Sequence, residues 1–157
     1  MNKKKLIVLS GLPGSGKSTW VKEYVDKAED GTVLVVSADI NRLIIGGSYD
    51  NFLHEEAVWQ KVYDDIMLYY FNDKSKVVIV DNTSISNKSR MNYARFEQYY
   101  DLELLIFNVS KEECLKRNAG REKRVPDEVI ERMARYWQEP NEEVKKHFQI
   151  KYIKEIN

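Results

Sequence analysis

Residues 6–20 read LIVLSGLPGSGKSTW: an apolar run, a glycine-rich turn, then Lys-Ser-Thr. Gly11 to Ser18 match G-x-x-x-x-G-K-[ST], the pattern of a phosphate-binding loop. Gly11, Gly14 and Gly16 let the backbone curl around Pro13 and Ser15 so that successive N–H groups point inward. A helix expected over 17–28, entered through Lys17, Ser18 and Thr19, adds the positive end of its dipole. In such a loop Lys17 neutralises β- and γ-phosphate oxygens, and the Ser18 hydroxyl ligates Mg²⁺. The plain alternative is a glycine-rich βα turn carrying a surface lysine. The strand before and the helix after supply the context that the nucleotide reading requires. Lys17 itself is expected at an exposed turn, where its loss would remove no core contact.

Outward from the loop, short apolar runs alternate with helical patterns. Strands are expected at 5–10, 32–39, 76–82, 102–110 and, more weakly, 147–156. Helices are expected at 17–28, 53–71, 86–100, 111–119 and 127–138. Near-continuous Val/Ile/Leu runs suit strands covered on both faces, as in a parallel sheet. The alternation predicts an α/β layered domain. Ligands in such sheets gather beyond the carboxyl ends of the strands, so the residues after each strand are the ones to inspect.

The totals narrow the field. A chain of 157 residues, 43% hydrophobic, suits one globular domain. Its 25 basic and 25 acidic residues cancel, so nucleic acid cannot be held by bulk attraction and any contact must come from local clusters. Cys114 is the single cysteine, which excludes an intrachain disulfide and a thiolate zinc site. The two histidines are too scattered for a metal cluster. The first apolar run is too short for a signal peptide or a bilayer span, so no membrane partner is expected and the cytoplasm is the default location.

After the second strand come Asp39 and Arg42, on one face if a helix starts there. A carboxylate at that place can accept the proton of an alcohol attacking a γ-phosphate, and a guanidinium fork suits an anionic group on the acceptor. Equally, Asp39 can cap the helix and pair with Arg42 at the surface. After the third strand, Asp81 stands where a Mg²⁺-holding aspartate stands in phosphate-loop proteins, with Asn82 and Thr83 on the same edge. No NKxD or D-x-x-G segment is present, which argues against a GTPase switch. After the fourth strand, Lys116, Arg117, Arg121, Lys123 and Arg124 crowd one window between a helix-breaking Gly120 and a helix-starting Pro126. Basic residues on such a hinged loop can stabilise charge during transfer, although charge runs also serve simply as solvated surface. Trp59, Tyr63, Ile66 and Tyr70 recur at helical spacing and read as packing positions, and Cys114 reads as a small apolar side chain.

Taken together, these segments resemble the kinase module of phage-type polynucleotide 5′-kinases, within the class of P-loop kinases. GLPGSGKSTW (11–20) is similar to that family's phosphate loop, ADINR (38–42) to its D-x-x-R acceptor motif, and VIVDNTSIS (78–86) to its third-strand segment. CLKRNAGREKRVPDEVIERM (114–133) is similar to its lid and the helix that follows. The resemblance implies a single P-loop kinase domain over 1–157, a lid at about 116–126, and a parallel sheet in the order 2-3-1-4-5. It implies transfer of the ATP γ-phosphate to the 5′-hydroxyl of DNA or RNA, with Mg²⁺, in the setting of nucleic-acid repair. Lys17 and Ser18 then take the phosphate and metal roles, Asp39 the base, and Arg42 the acceptor phosphate. Arg121, with Arg117, takes the lid role. The lid is one residue shorter between Arg117 and Pro126 than the family pattern, which leaves Arg124 as the alternative to Arg121. Family members often carry a fused phosphatase or ligase module, for which this chain is expected to have no room. Two competing readings are a P-loop kinase of a small alcohol (a nucleoside, sugar or antibiotic) and a nucleotide-binding module without transfer activity. Asp39 argues against the latter.

Overall fold

The computed structural model describes residues 3–154. The apolar run that opens the chain becomes β1 (Lys4–Ser10), the centre of a five-stranded sheet. On one side β1 pairs with β3 (Val77–Val80), and on the other with β4 (Tyr100–Asn108). β2 (Val33–Val36) and β5 (Gln149–Lys154) form the edges, so the order is β2-β3-β1-β4-β5 with every pairing parallel. Both the α/β class and the strand order agree with the expectation from sequence. Strand side chains alternate between faces, and this splits the core. Leu6 and Val8 join Val78, Val80 and Leu104 beneath α3 (Glu55–Tyr70), which contributes Val58, Val62 and Ile66. Ile7 and Leu9 face the other way with Ile79, Leu105 and Phe107, against α1 (Lys17–Lys27) through Val21. A third cluster, Leu12, Val109, Cys114 and Ile130, joins the loop after β1 to α5 (Lys111–Ala119) and α6 (Asp127–Arg135). Among the described residues no helix is long and apolar enough to cross a membrane.

Three stretches differ from their sequence expectation. The second strand stops at Val36, because Ser37 takes an extended conformation and its hydroxyl accepts the Ile40 N–H. That cap starts α2 (Ala38–Gly46), so Asp39 belongs to a helix and not to a strand end. The helix expected over 86–100 is instead α4 (Asn87–Met91), a 3₁₀ turn (Ala94–Phe96), and the first residue of β4. Tyr93, Phe96 and Tyr99 follow one another through i→i+3 backbone bonds, a tighter winding that cannot run long. Tyr100 is fully buried, donates its hydroxyl to the Ile66 carbonyl at 2.6 Å, and already pairs with β1. Finally, an unexpected helix, α7 (Glu142–His147), precedes β5; Asn141 caps it by accepting the Val144 N–H at 3.0 Å. Residues 155 and 156 of the expected last strand, and the ends of the domain expected over 1–157, lie outside the described residues.

One buried cation fixes the loop after β3. Ser84 takes a left-handed conformation, φ 42°, which is uncommon for a residue with a Cβ. Its carbonyl accepts the Ser10 hydroxyl at 2.8 Å and Arg90 Nε at 2.9 Å. Arg90, fully buried, also donates to Ser10 Oγ, Asn87 Oδ1 and the Ile85 carbonyl, and lies 5.2 Å from the Trp137 ring centre. Burial lowers its pKa from the ordinary arginine value, yet an arginine remains charged. Removing the guanidinium takes away four hydrogen bonds from a charged donor and its contact with Trp137. Arg90→Met is expected to destabilise the fold by about 2–4 kcal/mol, since buried hydrogen bonds to a charged group are worth about 1.5–3 kcal/mol each and are only partly offset by the apolar replacement, as read from urea unfolding midpoints.

Candidate active site

The phosphate loop leaves β1 at Gly11, whose N–H donates to the Thr83 carbonyl at 2.9 Å and so ties the loop to the segment after β3. Gly14 and Gly16 are left-handed, φ 85° and 96°. At Gly14 an added Cβ would stand 2.6 Å from the Cys114 carbonyl, so the loop can lie on α5 only as glycine. α1 begins with Gly16 at its cap, with no side-chain cap and no acidic residue in its first turn. Its first N–H groups and positive dipole are therefore left for an anion.

Lys17 differs from its expected exposed position. It is buried, and Nζ donates to the Gly11 and Leu12 carbonyls, each at 2.9 Å, and to Ser15 Oγ at 3.4 Å. Burial brings its pKa from 10.5 down to about 8, against the attraction of Asp81 and with repulsion from Arg121. Asp81 sits beside it and accepts the Ser18 hydroxyl at 3.3 Å. Burial raises the Asp81 pKa, while the Lys17 charge and the Ser18 hydrogen bond pull it back.

Two cavities meet at this loop. The first, about 430 Å³, is lined by Gly14 through Thr19, by Arg117, and by an apolar wall of Trp20, Phe107, Val109 and Ile153. The second, about 760 Å³, is lined by Pro13, Asp39, Arg42, Asp81 and Thr83, with an aromatic wall that includes Trp59, Tyr63 and Tyr93. Lys17, Ser18 and Arg121 border both. Thus most of the residues singled out from sequence line one or both of two neighbouring cavities at the carboxyl end of the sheet. Gly11 lies behind them, and its role is the close approach to Phe107 that a side chain would block. Asn82 joins the third-strand segment to the second, accepting the Ala38 N–H at 2.9 Å and donating to the Tyr93 hydroxyl at 3.2 Å.

In the second cavity Ser37 caps α2, which leaves the Asp39 side chain available for other partners. Its carboxylate accepts Arg42 Nη1 at 2.8 Å and Lys123 Nζ at 2.7 Å. Arg42 in turn forks onto Glu55, with Nε at 3.0 and 3.2 Å and Nη2 at 2.6 Å. Burial by itself would lower the Arg42 pKa; Glu55 and then Asp39 outweigh it, and the guanidinium is raised.

The lid is stapled at its base. Asn118, fully buried, donates to the Val125 carbonyl at 2.7 Å and accepts the Val125 N–H at 3.1 Å. Between those anchors Arg121 faces both cavities, and its buried Nη1 has no hydrogen-bond partner. Arg124 lines neither cavity and lies 3.6 Å from Asp127. Lys123, Glu55, Asn118 and Arg90 were given no individual role from sequence. Asn118 carried a local signal, through the Arg117-Asn118-x-x-Arg121 spacing; Lys123 and Glu55 act across distance in the chain, and Arg90 joins local partners to the distant Ser10.

Residues 6–140 match the profile of the AAA domain family. The chain belongs to that family. It is a P-loop kinase-like domain, and its likeness to polynucleotide kinase modules agrees with the resemblance read from sequence. A 2′,3′-cyclic-nucleotide 3′-phosphodiesterase of Pongo abelii is 33% identical over 99 residues, covering 63% of this chain and 21% of that protein. An L-seryl-tRNA(Sec) kinase of Methanococcus maripaludis is 28% identical over 137 residues, covering 82% of this chain and 50% of the relative. The chain therefore spans at most about half the length of these two curated relatives. Among solved structures, the Pnkp1/Rnl/Hen1 RNA repair complex contains a chain that superposes with a TM-score of 0.73 at 24% identity, over 95% of this chain and 47% of the other.

The Lys17 environment has a measurable pH signature. Between about pH 8 and 10.5 the unfolded chain holds a proton that folded Lys17 has released, so folding gains stability as pH rises through that window. Lys17→Met lacks the titration. The unfolding free energy of wild type relative to Lys17→Met is expected to rise by about 2 kcal/mol between pH 7.5 and 9.5, measured by urea denaturation. A flat difference would show that the buried lysine is not destabilised as an ammonium.

Proposed function

We propose that this chain transfers the γ-phosphate of ATP to the 5′-hydroxyl of a polynucleotide, DNA or RNA. The observation that carries the reading is that two cavities share Lys17, Ser18 and Arg121 in their walls. One side offers a phosphate cradle with an apolar wall for a nucleoside. The other offers a carboxylate, a guanidinium and an aromatic wall. The aromatic wall of the second cavity offers faces on which a nucleobase can stack. Some of the relatives carry names that refer to RNA repair, a tRNA and a cyclic nucleotide, which is compatible with a nucleic-acid acceptor, while a gluconokinase among the solved structures suits a small alcohol.

In this reading Lys17 leaves the Gly11 and Leu12 carbonyls for phosphate oxygens, and the first N–H groups of α1 complete the cradle. Ser18 and Asp81 would hold Mg²⁺. Two protein oxygens 3.3 Å apart, Ser18 bordering both cavities and Asp81 lining the second, fit an ion that keeps its remaining positions for waters and substrate phosphates. That fits a chain whose described residues include no cluster of three or more acidic, histidine or cysteine ligands. When bound, the ion neutralises charge on the transferred group. Asp39 accepts the proton of the attacking hydroxyl, Arg42 engages the acceptor's phosphate, and Arg121 brings its unpartnered Nη1 to the oxygens that gain charge in transfer.

Asp39→Asn is expected to keep ATP affinity within about threefold and to slow single-turnover transfer by about 10²–10⁴-fold, the usual worth of a general base. The assay uses γ-labelled ATP with a 5′-hydroxyl oligonucleotide, a nucleoside 3′-monophosphate and a free nucleoside, for which efficiency should fall in that order. Equal efficiency on all three, or preference for a sugar, would favour a small-alcohol kinase. ATP binding with no transfer to any acceptor would leave a nucleotide-binding module.

For the lid, Arg121→Ala is expected to lower kcat by at least about tenfold with little change in ATP affinity, since the interaction strengthens as charge redistributes. Arg124→Ala should cost less than about twofold. The reverse ranking would give the lid role to Arg124.

A further inference from the structure

Arg42 needs help to be useful. A free arginine would swing its two-pronged edge onto Asp39, because a bidentate pair is the stronger geometry, and would then compete with the acceptor hydroxyl for the base. We propose that Glu55 is the positioning residue that prevents this and aims Arg42 at the acceptor's phosphate, with Phe52 as the plate against which the guanidinium lies. The assignment rests on the polynucleotide kinase reading of Arg42.

The geometry is specific. Glu55 takes the side edge of the guanidinium, Nε and Nη2, through both carboxylate oxygens. The Phe52 ring centre lies 4.7 Å from Arg42 Cζ and restrains the plane. Asp39 is left with the single Nη1 contact. Of five N–H groups on an arginine, these bonds engage one on Nε, one on Nη2 and one on Nη1. One donor on each terminal nitrogen remains, which suits an anion with two oxygens. Charge is matched as well. Arg42 and Lys123 face Asp39 and Glu55, so the cluster is neutral before an acceptor arrives. Glu55 is also the first residue of α3, whose cap residue His54 makes no side-chain cap bond, so its carboxylate stands at the positive end of that helix. Lys123 has its own aromatic support, its Nζ lying 4.3 Å from the Tyr49 ring centre. The loop between α2 and α3 thus supplies a ring to each cation that touches Asp39.

The test compares wild type, Glu55→Gln and Glu55→Asp. For Glu55→Gln the KM for a 5′-hydroxyl oligonucleotide is expected to rise about 10–100-fold, in line with loss of orientation at a reacting group, while the KM for ATP stays within about twofold. The preference for a nucleoside 3′-monophosphate over the nucleoside should shrink toward one, and Glu55→Asp should restore part of it. A purely structural role would lower kcat for all acceptors alike and leave that preference intact, which would overturn the proposal. A second readout needs no acceptor: the ¹H–¹⁵N signal of Arg42 Nε. It should be protected from exchange in wild type, lost in Glu55→Gln, and partly regained in Glu55→Asp. An unchanged Nε signal in Glu55→Gln would overturn the role of Glu55 even in an active kinase. If wild type phosphorylates no acceptor while the Nε signal responds as expected, Glu55 orients Arg42 and the polynucleotide kinase reading is what has failed.

Discussion

The junction between the end of β1 and the segment after β3 governs this structure. Gly11 N–H to the Thr83 carbonyl, Ser10 Oγ to the Ser84 carbonyl, and the Arg90 fork across both fasten the phosphate loop to the loop that carries Asp81. The Ser18 hydroxyl in the first turn of α1 and the Asp81 carboxylate just after β3 keep their 3.3 Å contact only if the two segments are held together. Here the fixing is done from below by a buried guanidinium and a strained serine. Strain of this kind persists where the surroundings over-determine it, and every partner of Ser84 named here is itself buried or pinned.

Electrostatics then divides the cleft. On the donor side, unsatisfied positive character accumulates: a buried ammonium, an uncapped helix start, and an arginine nitrogen with no partner. Each is costly alone and each is relieved by the same ligand, a string of phosphates. On the acceptor side the charges are already matched, two cations against two carboxylates. Under the proposed function, an anionic donor would be drawn in strongly, whereas an acceptor would have to exchange one set of contacts for another. That asymmetry suits an enzyme that must accept a nucleotide and then choose its alcohol.

The lid connects the halves. α5 packs directly beneath Gly14, Asn118 at its end staples Val125, and the intervening residues reach over the cleft. Arg121 reaches the phosphate border, and Lys123, two residues on, reaches Asp39. Movement of one short loop would therefore free Asp39 from Lys123 and shift Arg121 together.

The sequence by itself determined the phosphate loop, the parallel sheet and the Asp39–Arg42 pair, because each depends on neighbours within a few residues. Glycines are needed where φ turns positive, apolar runs where strands are covered on both faces, and an i,i+3 spacing where two side chains share a helix face. Tertiary structure decided what those groups do. Lys123 meets Asp39 from 84 residues away and Glu55 meets Arg42 from 13, and neither spacing leaves a periodic trace. The burial of Lys17 was equally invisible, since a lysine in a turn looks exposed until α5, the third-strand segment and the lid close around it. Local pattern encodes backbone shape and side-chain direction. The partner that gives a charge its meaning comes from whichever distant segment the sheet order places beside it.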